Sequence, residues 1–108
     1  MFDQRQLLKG TLEGCILKII EEEETYGYEI VSRLRSFGFE DAKEGTIYPI
    51  LLRLEKKEFI ESIYKASPLG PKRKYYKLSQ GGKKFLLEFE KNWNQVKTTV
   101  DTILKGEK

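Results

Sequence analysis

Lysine and arginine crowd one short part of this chain, and holding phosphate is the chemistry they suit. From Glu44 to Lys77 the sequence runs EGTIYPILLRLEKKEFIESIYKASPLGPKRKYYK. Residues 43–77 hold nine Lys/Arg against four Asp/Glu, a local charge of +5, whereas residues 1–42 carry −4 and residues 78–108 carry +2. A concentrated cationic excess is the footprint of a surface that grips a nucleic-acid backbone. It equally serves to keep a hairpin soluble, and charge alone does not choose between the two. Lys72, Arg73 and Lys74 stand directly after a Pro-Gly-rich turn. Because neighbours in a strand point to opposite faces, Lys72 and Arg73 are the first candidates for phosphate contacts and Lys74 the third.

Other chemistries are excluded by what is missing. The 108 residues contain no histidine and a single cysteine, Cys15. Ser-His-Asp and Cys-His catalysis, imidazole bases, His-ligated zinc and an internal disulfide all fall away, so no enzymatic role, metal or cofactor is expected. Gly81-Gly82-Lys83-Lys84 lacks the upstream glycine and the Ser/Thr of a phosphate-cradling loop and is expected to ease a turn instead. No apolar run approaches the ~20 residues of a membrane span, and MFDQRQLLKG lacks the layout of a signal peptide. A cytoplasmic protein is the expectation.

The cations must be positioned by helices and a hairpin. Leu7, Leu8, Leu12, Cys15, Ile16, Ile19 and Ile20 recur at helical spacing, with Cys15 expected buried and inert, and Glu21 to Glu24 marking the end of that helix. Thr25 suits an N-cap for a second helix bearing Tyr28, Ile30, Val31 and Leu34, closed at Gly38. Ile47, Ile50, Leu51 and Leu54 stripe a third helix, although Pro49 would by propensity begin it rather than sit inside it. Phe59 to Lys65 and Lys72 to Leu78 read as two strands, Tyr76 and Leu78 facing inward, with Ser67 to Pro71 as a tip that cannot extend the ladder. Ser79 can cap a last helix whose apolar residues Phe85, Phe89, Trp93, Val96, Val100 and Ile103 step by 4, 4, 3, 4 and 3, close to a heptad seam. So long a seam on so small a core predicts a homodimer.

The fold class is therefore mainly α with a small β-hairpin, an α+β winged helix-turn-helix plus a long C-terminal dimerisation helix. Its regions are a winged helix-turn-helix at residues 1–78 and the dimerisation helix at 79–108. Three blocks sharpen this: Tyr26-Gly27-Tyr28-Glu29-Ile30, Gly45-Thr46-Ile47-Tyr48-Pro49-Ile50-Leu51 with Arg53-Leu54-Glu55, and Arg73-Lys74-Tyr75-Tyr76-Lys77-Leu78-Ser79 with Gly82. Across essentially its whole length the chain resembles the PadR-like transcriptional regulators, in particular their compact branch with one C-terminal helix. The resemblance implies a dimeric repressor, often responsive to small aromatic or drug-like compounds, and a recognition helix that opens near Gly45 with the Tyr-Pro pair inside it.

Thr46, Tyr48 and Pro49, near the start of that helix, are expected at base edges and phosphates of double-stranded DNA, with Tyr48 suited to either. Arg53 and Lys56 are phosphate contacts or merely solvated, and Lys72, Arg73 and Lys74 are expected on the backbone. The family pattern makes Tyr28 mainly a packing residue and leaves Gly27 for a close approach of two helices or of a phosphate. The operator should be near-palindromic. Two roles fit Trp93 with Phe89 and Val96: a stacking site for a flat aromatic effector, as in a multidrug-sensing member with a tryptophan on this helix, or filling of the dimer core. The alternatives are a small-molecule-binding dimer with secondary DNA affinity and a protein-docking module, against which the basic hairpin argues.

Overall fold

In the computed structural model, which describes residues 3–106, the apolar stripes of the helices converge on one core. The first two and last two residues of the expected 1–78 and 79–108 regions lie outside the described residues. The elements are α1 (Arg5–Leu8), α2 (Leu12–Glu22), β1 (Thr25–Tyr26), α3 (Gly27–Phe37), α4 (Glu44–Lys56), β2 (Ile60–Ser67), β3 (Gly70–Leu78) and α5 (Gln80–Leu104). Ile16, Leu17, Ile20, Ile30, Leu34, Ile47, Leu51 and Leu54 are all inaccessible or nearly so, and Ile60, Tyr76, Leu78 and Leu86 close the core from the sheet and α5. Each such aliphatic side chain contributes roughly 1.5–3 kcal/mol by leaving water.

The α+β class and the long last helix stand as expected, and several local expectations are corrected. The apolar run from Leu7 to Ile20 is not one helix. It breaks at Gly10, whose φ of +86° is natural for glycine, and Leu7 on the short α1 stays exposed. Cys15 is half-buried rather than buried, and burial still pushes its thiol pKa up, so it remains protonated and inert. Thr25 is not a helix cap. It is buried in β1, where Thr25 and Tyr26 pair with Tyr76 and Tyr75, giving a three-stranded sheet of order β1-β3-β2. The Tyr26 ring meets the Tyr75 ring edge-on with centroids 5.3 Å apart, so cross-strand packing overrides the local capping preference. α2 ends among the glutamates as expected, and those side chains pair with cations: Glu21 with Lys18, Glu22 with Arg33 and Glu24 with Lys65.

The hairpin ladder runs further than expected, to Ser67 opposite Gly70, with an irregularity between Lys65 and Ser67, so only Pro68 and Leu69 form the tip. Gly81 and Gly82 make no turn; both lie in α5. At Gly82 a Cβ would run into the Phe59 carbonyl oxygen, so this glycine lets the helix press against the strand entrance. Ser79 caps α5 as expected, its Oγ accepting from the Gly82 amide at 3.0 Å.

Candidate nucleic-acid interface

α4 is held by its buried side, Ile47, Ile50, Leu51 and Leu54, with Glu44 in the first turn and Arg53 and Lys56 in the last, where each charge favours the helix dipole. Pro49 lies inside this helix and cannot donate to the carbonyl of Gly45. Gly45 is exposed, so the bond missing there costs less than it would in the interior, and core packing outweighs it. Thr46, Tyr48, Pro49, Arg53 and Lys56 are all exposed.

Gly27 opens α3 directly beneath α4. A Cβ at Gly27 would lie 2.6 Å from the Tyr48 ring, so the glycine admits that ring, the close helix approach expected of it. Tyr28 departs from expectation. It is 62% exposed and packs no core. With Tyr26, Tyr48, Tyr76, Arg73 and Lys74 it borders a recess of about 550 Å³ between the start of α3, α4 and the hairpin. Sequence reading missed Tyr26 and Tyr28 as members of this face; the signal was the pair of tyrosines around a glycine. Burial, with Glu44 nearby, raises the Tyr48 pKa, so its hydroxyl stays neutral and can both donate and accept.

The three consecutive hairpin cations have separate surroundings. Lys72 is exposed and has no ionic partner among the described residues. The Arg73 guanidinium lies over the Tyr26 ring, 4.6 Å from its centroid, and keeps an exposed edge. Lys74 turns to α4, its Nζ donating to Glu55 Oε1 at 2.9 Å, while the Ser62 hydroxyl donates to Glu55 Oε2. The hydrogen bond from Ser62, and then that from Lys74, hold the Glu55 carboxyl below the usual glutamate value, and Glu55 in turn raises Lys74. This trio ties the hairpin to the end of α4. Arg53 likewise reaches within the chain, to Glu13 on α2 at 3.1 Å, yet stays half exposed.

The seam residues of α5 also divide. Phe85 stacks on Phe59 of the same chain, centroids 4.6 Å apart, and Phe89 lies against Gly14 of α2. Trp93 is 44% exposed, and Val96, Val100 and Ile103 are more open or similar. Phe89 and Trp93 border an apolar groove of about 510 Å³ shared with Leu7, Cys15 and Phe37; Val96 does not reach it.

Three helices, a β-hairpin against them and an exposed cationic edge beside the third helix define a winged helix-turn-helix protein. A family model described as the transcriptional regulator PadR-like family matches residues 16–88. A PadR-like transcriptional regulator from Bacillus cereus superposes with a TM-score of 0.85 at 54% identity, covering 94% of this chain and 99% of that one. A Streptococcus transcriptional regulator superposes with a TM-score of 0.83 at 45% identity, over 91% and 96% of the two chains. An uncharacterised protein from Lysinibacillus sphaericus is 40% identical over 102 residues, covering 93% of this chain and 94% of that protein. The chain belongs to the PadR-like family of transcriptional regulators. No helix among the described residues is long and apolar enough to cross a membrane.

Proposed function

We propose that this regulator is a homodimeric, sequence-specific DNA-binding repressor acting in the cytoplasm on a near-palindromic operator. The observation that carries the reading is the tyrosine-lined recess that joins the two parts: Tyr48 of α4 and Arg73 of β3 both border it, so the exposed start of α4 stands beside the cationic hairpin. α4 enters the major groove and the hairpin lies on the neighbouring backbone. Lys72 and Arg73 hold phosphates, Lys56 and the free edge of Arg53 add backbone contacts, and Lys74 braces the hairpin through Glu55 before it touches DNA. Residues 1–78 form the DNA-binding region and the helix from residue 79 the dimer contact, through Trp93, Val96, Val100 and Ile103 with Phe85 and Phe89 at the near end of the seam. Twofold symmetry then sets half-sites about 34–36 Å apart.

A second reading adds an effector. The apolar groove beside Phe89 and Trp93 suits a small aromatic or drug-like compound, whose binding would release DNA by altering the separation of the two α4 helices.

Fluorescence anisotropy against the chain's own upstream DNA and an unrelated duplex, across a salt series, tests the main reading. The wild type is expected to prefer one duplex at physiological salt. The double variant Lys72→Ala/Arg73→Ala is expected to bind more weakly on all sequences, with a log–log salt slope shallower by about 2. An unchanged slope overturns the hairpin assignment.

A further inference from the structure

Apart from Lys56, the outward stripe of α4 carries no hydrogen-bonding side chain. At roughly 100° per residue, the helix sets Gly45, Pro49, Leu52 and Lys56 opposite its buried stripe, and all four are exposed. Thr46 and Arg53 fall on the flank toward α2, where Arg53 reaches Glu13. Tyr48 and Glu55 fall on the other flank, with Tyr48 against Gly27 and Glu55 engaged by Lys74 and Ser62. The most outward positions therefore offer DNA a glycine, a proline, a leucine and one cation. Leu52 is 60% exposed and belongs to no part of the core.

On a helix laid against DNA, an apolar side chain in this place suits a partner that is polyanionic overall and apolar at one point. The charge of +5 over residues 43–77, with Lys56 on the same stripe, sets the first requirement. The C5-methyl of thymine meets the second, because it is the apolar group that base pairs present in the major groove. Gly45, with open space where a Cβ would be, keeps the approach of the helix unobstructed. We infer that Leu52 is a specificity-determining residue that reads a thymine methyl group, so each half-site of the operator holds a thymine facing the middle of α4. This rests on the DNA-binding reading above and adds to it a base and a residue outside the Thr46-Tyr48-Pro49 set.

The test separates the two. Duplexes are enriched from a random pool on the full-length protein, and each thymine of the selected site is replaced in turn by deoxyuridine, which lacks only the methyl. Anisotropy is then measured with the wild type and with Leu52→Ala at fixed salt. For the wild type, one thymine in each half-site is expected to lose about fourfold in affinity on replacement, the scale of one buried methyl. In Leu52→Ala that loss should fall below about twofold, because the partner is gone, while the salt slope stays that of the wild type, because no phosphate contact has changed. Leu52 is exposed on a helix, so the alanine variant keeps its fold, which its melting curve verifies. Selected half-sites without thymine, uniform tolerance of deoxyuridine, or a full methyl penalty in Leu52→Ala would each overturn the assignment to Leu52. A pool that shows no enrichment would instead overturn the sequence-specific reading beneath it.

Discussion

Two halves of α5 share one spacing of apolar side chains and meet opposite fates. In the first half, Phe85 stacks on Phe59, Leu86 is 1% exposed and Phe89 lies against Gly14. In the second, every residue from Glu90 to Asp101 is exposed, Trp93, Val96 and Val100 included. A heptad-like repeat therefore records only that a face is to be covered, not whether the chain itself or a second copy covers it. Distance along the helix decides: at ~1.5 Å per residue, 25 residues extend nearly 40 Å, well past the core that meets its first turns.

The largest effects should come from exchanging the fates of these halves. Leu86→Ala removes a core side chain and is expected to cost about 3 kcal/mol of folding stability in urea titration, with its helices otherwise retained below the midpoint. Val100→Glu places a charge on the open half. It should leave the helical circular dichroism intact while shifting the proposed dimer to monomer in sedimentation. Should Val100→Glu lower the unfolding midpoint of a chain already monomeric, the open half would belong to the fold after all.

What could be read in the sequence follows the same division between local and distant partners. The three helical stripes, the hairpin and the Ser79 cap were legible because periodicity and capping chemistry are written within a few residues. β1 was not, since two residues carry no period and their extended form depends on Tyr75 and Tyr76, some 50 positions on. Nor was the break at Gly10, where the apolar spacing continues through a backbone that turns. In the site, exposed α4 residues and the Lys72-Arg73 pair were visible as types. The turning of Lys74 onto Glu55, nineteen residues away, was hidden, because opposite charges that far apart in sequence are not paired by any local rule. The family pattern suggests packing for Tyr28, whereas its position at the first turn of α3 leaves it facing out.

A smaller effect should come from the polar tie that closes the hairpin onto α4, which has no counterpart on the open half of α5. Glu55 is held below its ordinary value near 4.5, first by Ser62 and then by Lys74. A carboxyl lowered in the folded state contributes stability that is present above its unfolded pKa and is lost as pH falls through its folded value. Wild-type melting temperatures should therefore fall on acidification below about pH 5 more steeply than those of Glu55→Gln, which cannot titrate. Parallel slopes would show the tie to be electrostatically idle. Because both side chains remain about 30% exposed, solvent screens the pair and its total worth stays modest.

The smallest expected effect lies where the closed and open parts join. Ser79 Oγ accepts from the Gly82 amide at 3.0 Å and donates to the Glu58 carbonyl at 2.6 Å, while the Ser79 amide donates to the Phe59 carbonyl at 3.0 Å. Only the two side-chain bonds depend on the hydroxyl. Ser79→Ala leaves one helix amide uncapped and returns an exposed carbonyl to water, so about 1 kcal/mol of stability should go, a third of the Leu86→Ala loss. The direction of α5 is fixed by firmer means: the Phe59–Phe85 stack and the absence of a Cβ at Gly82, which sets the helix against the Phe59 backbone. The dissociation constant of the proposed dimer should accordingly be the same for Ser79→Ala and the wild type by sedimentation. If association weakened along with folding, the cap rather than the packing would be aiming the open half at its partner, and the two halves of α5 would be coupled through a single hydroxyl.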